Sequence, residues 1–287
     1  RVCCKLALQC NREGKQKQSI EYFEKWHKHH KALTKVDCQY LKCWIADLAN
    51  TGQSERAKEI SDLAVALVKD DLQADPQILH NHGLILNMVA TNIANSGGDL
   101  NKAKELSEQA QTFVKDDPQI LHNFGMILRL LAANIANNGG DLHKAKELSA
   151  QALTCVQKDS LFLANHAMIL MKLKQLEEAK VFLLQALAID DNSAYNNYVY
   201  GELLLALGKY DEAANYAEKS IRLDAQDFTG HLLIAKICLK QKKTAKVIAL
   251  ASKLLELYPN DPMQKGNVKA LLTAAIAQLN GEDVALG

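Results

Sequence analysis

One stretch of this chain is written twice. DPQILHNHGLILNMVATNIANSGGDLNKAKELSEQA, opening at Asp75, returns as DPQILHNFGMILRLLAANIANNGGDLHKAKELSAQA, opening at Asp117. The step is 42 residues, from Gly83 to Gly125 and from Ala103 to Ala145. Copies this close must fold alike and present the same faces to their neighbours. Stacked units meet that demand, because each copy then buries its apolar face against the next. Beyond the copies the step shortens to 34: Ala167, Gly201 and Ala235 form one series, and Ala179, Ala213 and Val247 another.

The unit around residue 200 shows what is repeated. Tyr200, Gly201, Leu204 and Leu207 fall on one face of a first helix, Gly208-Lys209 makes a turn, and Tyr210, Ala213, Ala214, Ala217 and Ile221 line a second helix. Small residues at 201 and 213 let the two helices approach, and bulky ones at 204 and 210 fill the flanks. Hydrophobic residues make up 48% of the chain and aromatics 6%, so the core is built from the straight-chain and small residues that favour helices.

With Tyr200, Gly201, Leu204 and Ala213 in this unit, Phe23 in the first and Pro259 in the last, the chain resembles the tetratricopeptide repeat family. Asn197 stands where that signature has tryptophan, and Ala217 where it has phenylalanine. The resemblance implies an all-α, right-handed superhelical solenoid of about seven helix-turn-helix repeats plus a C-terminal capping helix. The spacing places repeats near 1–34, 35–74, 75–116, 117–158, 159–192, 193–226 and 227–260, with a capping helix and tail over 261–287.

The 42-residue units carry their extra residues between Gly83 and Ala103 and between Gly125 and Ala145. Their first helices are therefore expected to run from Pro76 to Asn95 and from Pro118 to Asn137, stopping at Gly97-Gly98 and Gly139-Gly140. Asp75-Pro76, Asp117-Pro118 and Asp261-Pro262 read as an N-cap followed by a first-turn proline.

In this family the first helices line a concave groove. Carried onto this chain, the groove positions are His80, Asn81, Leu84, Asn87 and Met88 in the third unit, and His122, Asn123, Met126, Arg129 and Leu130 in the fourth. The fifth contributes Asn165, Met168 and Lys172, and the last two Tyr195, Tyr198, Glu202, Lys236 and Lys240. Asn81, Asn123 and Asn165 recur at one point of successive units, and a side-chain amide can both donate to and accept from an extended peptide backbone. This resembles the asparagine ladder in the repeats of the O-linked N-acetylglucosamine transferase. The alternative is that duplication copied each asparagine and that it bonds only within the stack. Met88, Met126 and Met168 beside the ladder offer a deformable apolar floor, or simply core. The carboxylate clamp of chaperone-binding relatives is not reproduced, since His80 and Asn87 stand where Lys or Arg is needed.

A net charge of +1 gives the whole chain no electrostatic reason to seek nucleic acid, although residues 1–35 hold nine Lys or Arg against three acids. His27 and His30 lie one helical turn apart in Trp26-His27-Lys28-His29-His30, but no cysteine completes a metal set, and flanking lysines favour a solvated basic face. No metal or other cofactor is expected. Seven cysteines at irregular spacing match no disulfide framework and suit a reducing, cytoplasmic setting. Apolar runs such as Ala270–Ala277 are far shorter than the roughly 20 residues that span a bilayer, so no membrane insertion is expected. No phosphate loop, nucleophile elbow, zinc helix or paired Cys-x-x-Cys occurs, and an enzyme is not expected. The reading is a scaffold that binds a peptide segment of a partner protein, within a larger multiprotein assembly. Two alternatives are the substrate-recognition arm of a larger enzyme such as a glycosyltransferase, and a nucleic-acid adaptor acting through the basic first repeat. The chain opens inside a helix at Arg1, so it is expected to be part of a longer protein.

Overall fold

A computed structural model describes residues 2–30, 32–34, 37–68, 76–156, 158–226, 228–258 and 262–280. The side chains of Val68, Leu257, Pro262 and Met263 are outside the description as well. Among the described residues the regular structure is entirely helical. The helices are α1 Val2–Arg12, α2 Gln16–His29, α3 Cys38–Asn50, α4 Ser54–Val68, α5 Pro76–Asn95, α6 Leu100–Phe113, α7 Pro118–Asn137, α8 Leu142–Cys155, α9 Ser160–Lys172, α10 Leu176–Ile189, α11 Ala194–Ala206, α12 Tyr210–Leu223, α13 Phe228–Lys240, α14 Thr244–Leu257 and α15 Pro262–Leu279. They form helix pairs followed by a terminal helix, the repeat architecture expected from the sequence.

The chain divides into two compact units, 1–134 with 154–156, and 135–153 with 157–287, so that α7 is shared between them. The first holds the pairs α1–α2, α3–α4 and α5–α6 around a core that includes Phe23, Leu41, Trp44, Leu48, Leu86 and Ile127, all buried. The second has one core on α9 to α13, with Leu170, Leu183 and Leu203 fully buried. Its other core is on α13 to α15, where Val247, Leu271 and Ala275 meet.

Seven first helices end in the same way. Gly14, Gly52, Gly97, Gly139, Lys174, Gly208 and Lys242 each take a left-handed conformation. The following amide then reaches back five residues, as in Gly98 N to Ile93 O and Gln175 N to Leu170 O, both 2.9 Å. Glycine enters this region without strain, whereas lysine at 174 and 242 does not. The 42-residue step has a simple origin. α5 and α7 have 20 residues where α9, α11 and α13 have 13, and the turn 96–99 is one residue longer than 173–175.

Asp117 caps α7 through its Oδ1, which accepts from Gln119 N and Ile120 N at 2.9 Å. The partner caps expected at Asp75 and Asp261, and Pro259, lie outside the described residues, as do Arg1, Lys31 and Lys35 of the basic segment. Asp99, Asp141, Asp159 and Ser193 cap α6, α8, α9 and α11 in the same manner. Asn197, at the tryptophan position of the repeat signature, is buried. Its Nδ2 donates to Asp191 O and Ser193 O at 2.8 Å, tying down the turn before α11.

Candidate functional site

In the first unit the groove candidates sit on α5 and α7. His80 is exposed; Asn81, His122, Asn123, Met126, Arg129 and Leu130 are half-buried; Leu84 is exposed. Gln77 Nε2 donates to Asn81 Oδ1 at 2.8 Å, and Gln119 Nε2 donates to Asn123 Oδ1 at 3.1 Å. These bonds span one helical turn and orient both amides identically. The Nδ2 groups of Asn81 and Asn123 have no hydrogen-bond partner among the described residues. Met88 packs onto the core of this unit, and Asn87 is buried with an Oδ1 that has no partner among the described residues.

Asn165, in the second unit, is placed differently. It is buried, its Nδ2 donates to Leu161 O at 2.8 Å, and its Oδ1 accepts from the Tyr195 hydroxyl at 3.3 Å. The cause is readable one turn earlier: where the two copies have Gln77 and Gln119, the fifth repeat has Leu161. With no side-chain donor there, the amide turns to the backbone and to the next repeat. Met168 packs onto the core of the second unit, Tyr198 belongs to that core, and Tyr195 lies beside it with its ring 6.2 Å from Tyr198. Lys172 donates to Ala136 O at 3.0 Å, and Lys236 pairs with Glu202 at 2.7 Å, while Lys240 is exposed.

The histidine-rich segment is explained by packing. Trp26 is buried and stacks on His30 at 5.3 Å, and His27 tilts onto Trp44 at 5.4 Å. His30 also faces Asp37 at 3.4 Å. Among the described residues no group of three or more His, Cys, Asp or Glu side chains could hold a metal ion.

A second series was not recognised from the sequence. The residue before the small first-helix position carries a ring in four consecutive repeats, His82, Phe124, His166 and Tyr200, all buried, whereas Ile234 precedes Ala235. His82 meets Phe113, His166 meets Phe182 and Tyr200 meets Tyr216 edge-on, at 4.7 to 4.9 Å. Burial pushes the Tyr200 phenol above its ordinary pKa. The two histidines also bond serines of the preceding helix, Ser61 Oγ to His82 Nδ1 at 2.9 Å and Ser149 Oγ to His166 Nδ1 at 2.7 Å. The signal was the difference between the copies at 82 and 124, inside an otherwise shared HN-x-G.

These helix pairs, with left-handed turns and small residues at the crossings, define a tetratricopeptide-like all-helical repeat protein. A tetratricopeptide repeat model matches residues 162–193. The model for anaphase-promoting complex, cyclosome, subunit 3 matches residues 179–254. No curated protein matches the sequence. Among solved structures, the C-terminal part of a repeat-containing protein from Cytophaga hutchinsonii is similar at 13% identity, over 92% of this chain and 98% of that one, with a TM-score of 0.55. Also similar are the anaphase-promoting complex hetero-tetramer Cut9-Hcn1, at 16% identity over 93% of this chain and 48% of that one with a TM-score of 0.52, and PilF of Pseudomonas aeruginosa, at 16% identity over 81% and 96% with a TM-score of 0.51. At these identities the likeness is one of fold. Among the described residues no helix is long and apolar enough to cross a membrane.

Proposed function

We propose that this chain is a non-enzymatic scaffold that takes an extended peptide segment of a partner protein along its first helices. The observation that carries the reading is the matched pair Asn81 and Asn123. Both amides are held by a glutamine one turn earlier, and among the described residues neither Nδ2 has a partner. Two such donors at one repeat spacing suit successive backbone carbonyls of an extended chain. Half-buried Met126 and exposed His80 supply adaptable side-chain contacts beside them. This keeps the likeness to the asparagine ladder for two members, whereas Asn165 serves the stack itself. The match of residues 179–254 to a subunit of a large assembly supports a place in a multiprotein complex.

The test is a quantitative pull-down from source lysate with wild type and Asn81→Ala/Asn123→Ala. Both side chains are half-buried and surface-facing, so the variant should keep its thermal midpoint while losing most of its retained partners. An unchanged set of retained proteins would refute groove recognition through these amides.

A further inference from the structure

Three joints between consecutive hairpins repeat one arrangement. The second helix of a hairpin presents a buried serine, and the first helix of the next a buried ring: Ser61 bonds His82 and Ser149 bonds His166, and by repeat register Ser107 corresponds to Phe124. The last two pairs are separated by the 42-residue repeat at both members. In the outer two joints the serine is bonded to an imidazole at 2.9 and 2.7 Å. At the middle joint phenylalanine offers no polar atom, and the Ser107 hydroxyl is buried with no partner among the described residues.

We propose that the Ser61–His82 and Ser149–His166 pairs make their two joints loosen on acidification, and that Phe124 exempts the joint at Ser107. In the fifth repeat the proton positions follow from the bonding. The Ser149 hydroxyl donates to Lys146 O at 3.0 Å, so its oxygen accepts from Nδ1–H of a neutral His166. A second proton must go to Nε2, on a ring packed edge-on against Phe182. Charging a ring so enclosed costs solvation that the apolar neighbour does not return.

Among the described residues few charged groups face each ring. His82 sees Asp62 at 3.8 Å and Lys58, both from α4, while Phe113 meets it from α6. Asp62 is itself held by Lys58 at 2.7 Å. His166 sees Lys146 from α8 and Glu178 from α10, and these two are paired with each other at 3.0 Å. Burial pushes both imidazoles below their ordinary value, with the carboxylates opposing it and the lysines adding to it. The unfolded chain therefore binds these protons more readily than the folded one. Stability is complete above a pH of about 6.5 and is lost as pH falls from there toward the depressed folded values.

The experiment uses the full chain with labelled histidines. NMR titration should show two imidazoles changing charge well below the ordinary range. Thermal midpoints at about pH 7.5 and about pH 5 are then compared for wild type, Ser61→Ala/His82→Phe and Ser149→Ala/His166→Phe, each of which copies the phenylalanine already accepted at position 124. Each variant should lose less of its midpoint on acidification than wild type, and Phe124→His should lose more. Should a variant not fold, the wild-type titration decides alone. Histidines that all titrate at ordinary values, or an acid-induced drop that is the same in wild type and both double variants, overturns the proposal.

Discussion

Gly83 is the sharpest point at which the close approach of paired helices can be tested. A Cβ added there would lie 2.6 Å from Val114 Cγ2, 3.0 Å from Phe113 Cβ and 3.1 Å from Ala110 O. The first of these is a side-chain methyl, but the other two belong to or adjoin the α6 backbone and can yield only if the helix moves. Overpacking of this kind costs about 1–3 kcal/mol. Replacing glycine by alanine inside a helix returns about 0.8–1 kcal/mol. Because two of the three contacts can be relieved only by moving α6, the overpacking falls at about 2–3 kcal/mol, and Gly83→Ala should therefore destabilise the first unit by about 1–2 kcal/mol. The assay is selective, because both tryptophans, Trp26 and Trp44, lie in that unit, so fluorescence in a urea titration reports it alone. Gly201→Ala is the comparison, read by circular dichroism: its close contact is a terminal methyl, Leu233 Cδ2 at 2.7 Å, the nearest backbone atom is 3.4 Å away, and the change should be smaller than at Gly83. If Gly83→Ala unfolds at the same urea concentration as wild type or a higher one, the argument from steric approach is wrong.

Two further outcomes follow from the turns and joints. Lys174 holds a left-handed conformation at φ 63° where five other hairpins have glycine, so Lys174→Gly should raise the thermal midpoint of the second unit, by about 0.5–1 kcal/mol once the greater freedom of unfolded glycine is deducted; a lowered midpoint would contradict it. Ser107→Ala removes a buried hydroxyl that has no partner among the described residues and should be neutral or stabilising by up to about 1 kcal/mol, whereas Ser149→Ala strands His166 Nδ1 and should cost about 1–3 kcal/mol. Equal effects of the two serine changes in chemical denaturation would show that the hydrogen bond to His166 contributes nothing.

The helices were legible in the sequence where local chemistry sets their ends. Pro76, Pro118 and the Gly-Gly pairs mark the long first helices because proline suits a first turn and glycine a left-handed stop. The close crossings at Gly83 and Gly201 were legible for a similar reason, since only a small residue repeats at a point of contact. The roles of the asparagines were not. Asn81, Asn123 and Asn165 look equivalent by spacing, yet the partner of each depends on what stands four residues before it and, for Asn165, on Tyr195 in the following repeat. Likewise the histidines that matter to the core are inconspicuous in the sequence, His166 isolated and His82 two residues from the exposed His80, while the conspicuous His27 to His30 cluster lies against tryptophans. Repeat spacing reports which positions correspond, not which bonds they form.

The near identity of α6 and α8 has a consequence for how the chain reaches its fold. While α5 is unpaired, both helices offer it much the same face: Ala103, Leu106 and Ala110 in one, Ala145, Leu148 and Ala152 in the other. Choosing α6 closes a connection of four residues, 96–99, and choosing α8 one of 46, 96–141, a difference of about 2 kcal/mol in loop entropy. During synthesis α6 also emerges 42 residues ahead, a lead of roughly 2–8 s at ribosomal speed, far longer than helices need to find each other. Refolding from denaturant removes that head start and leaves only the shorter loop to favour the native pairing, so misassembled chains should accumulate there and not in the newly made protein.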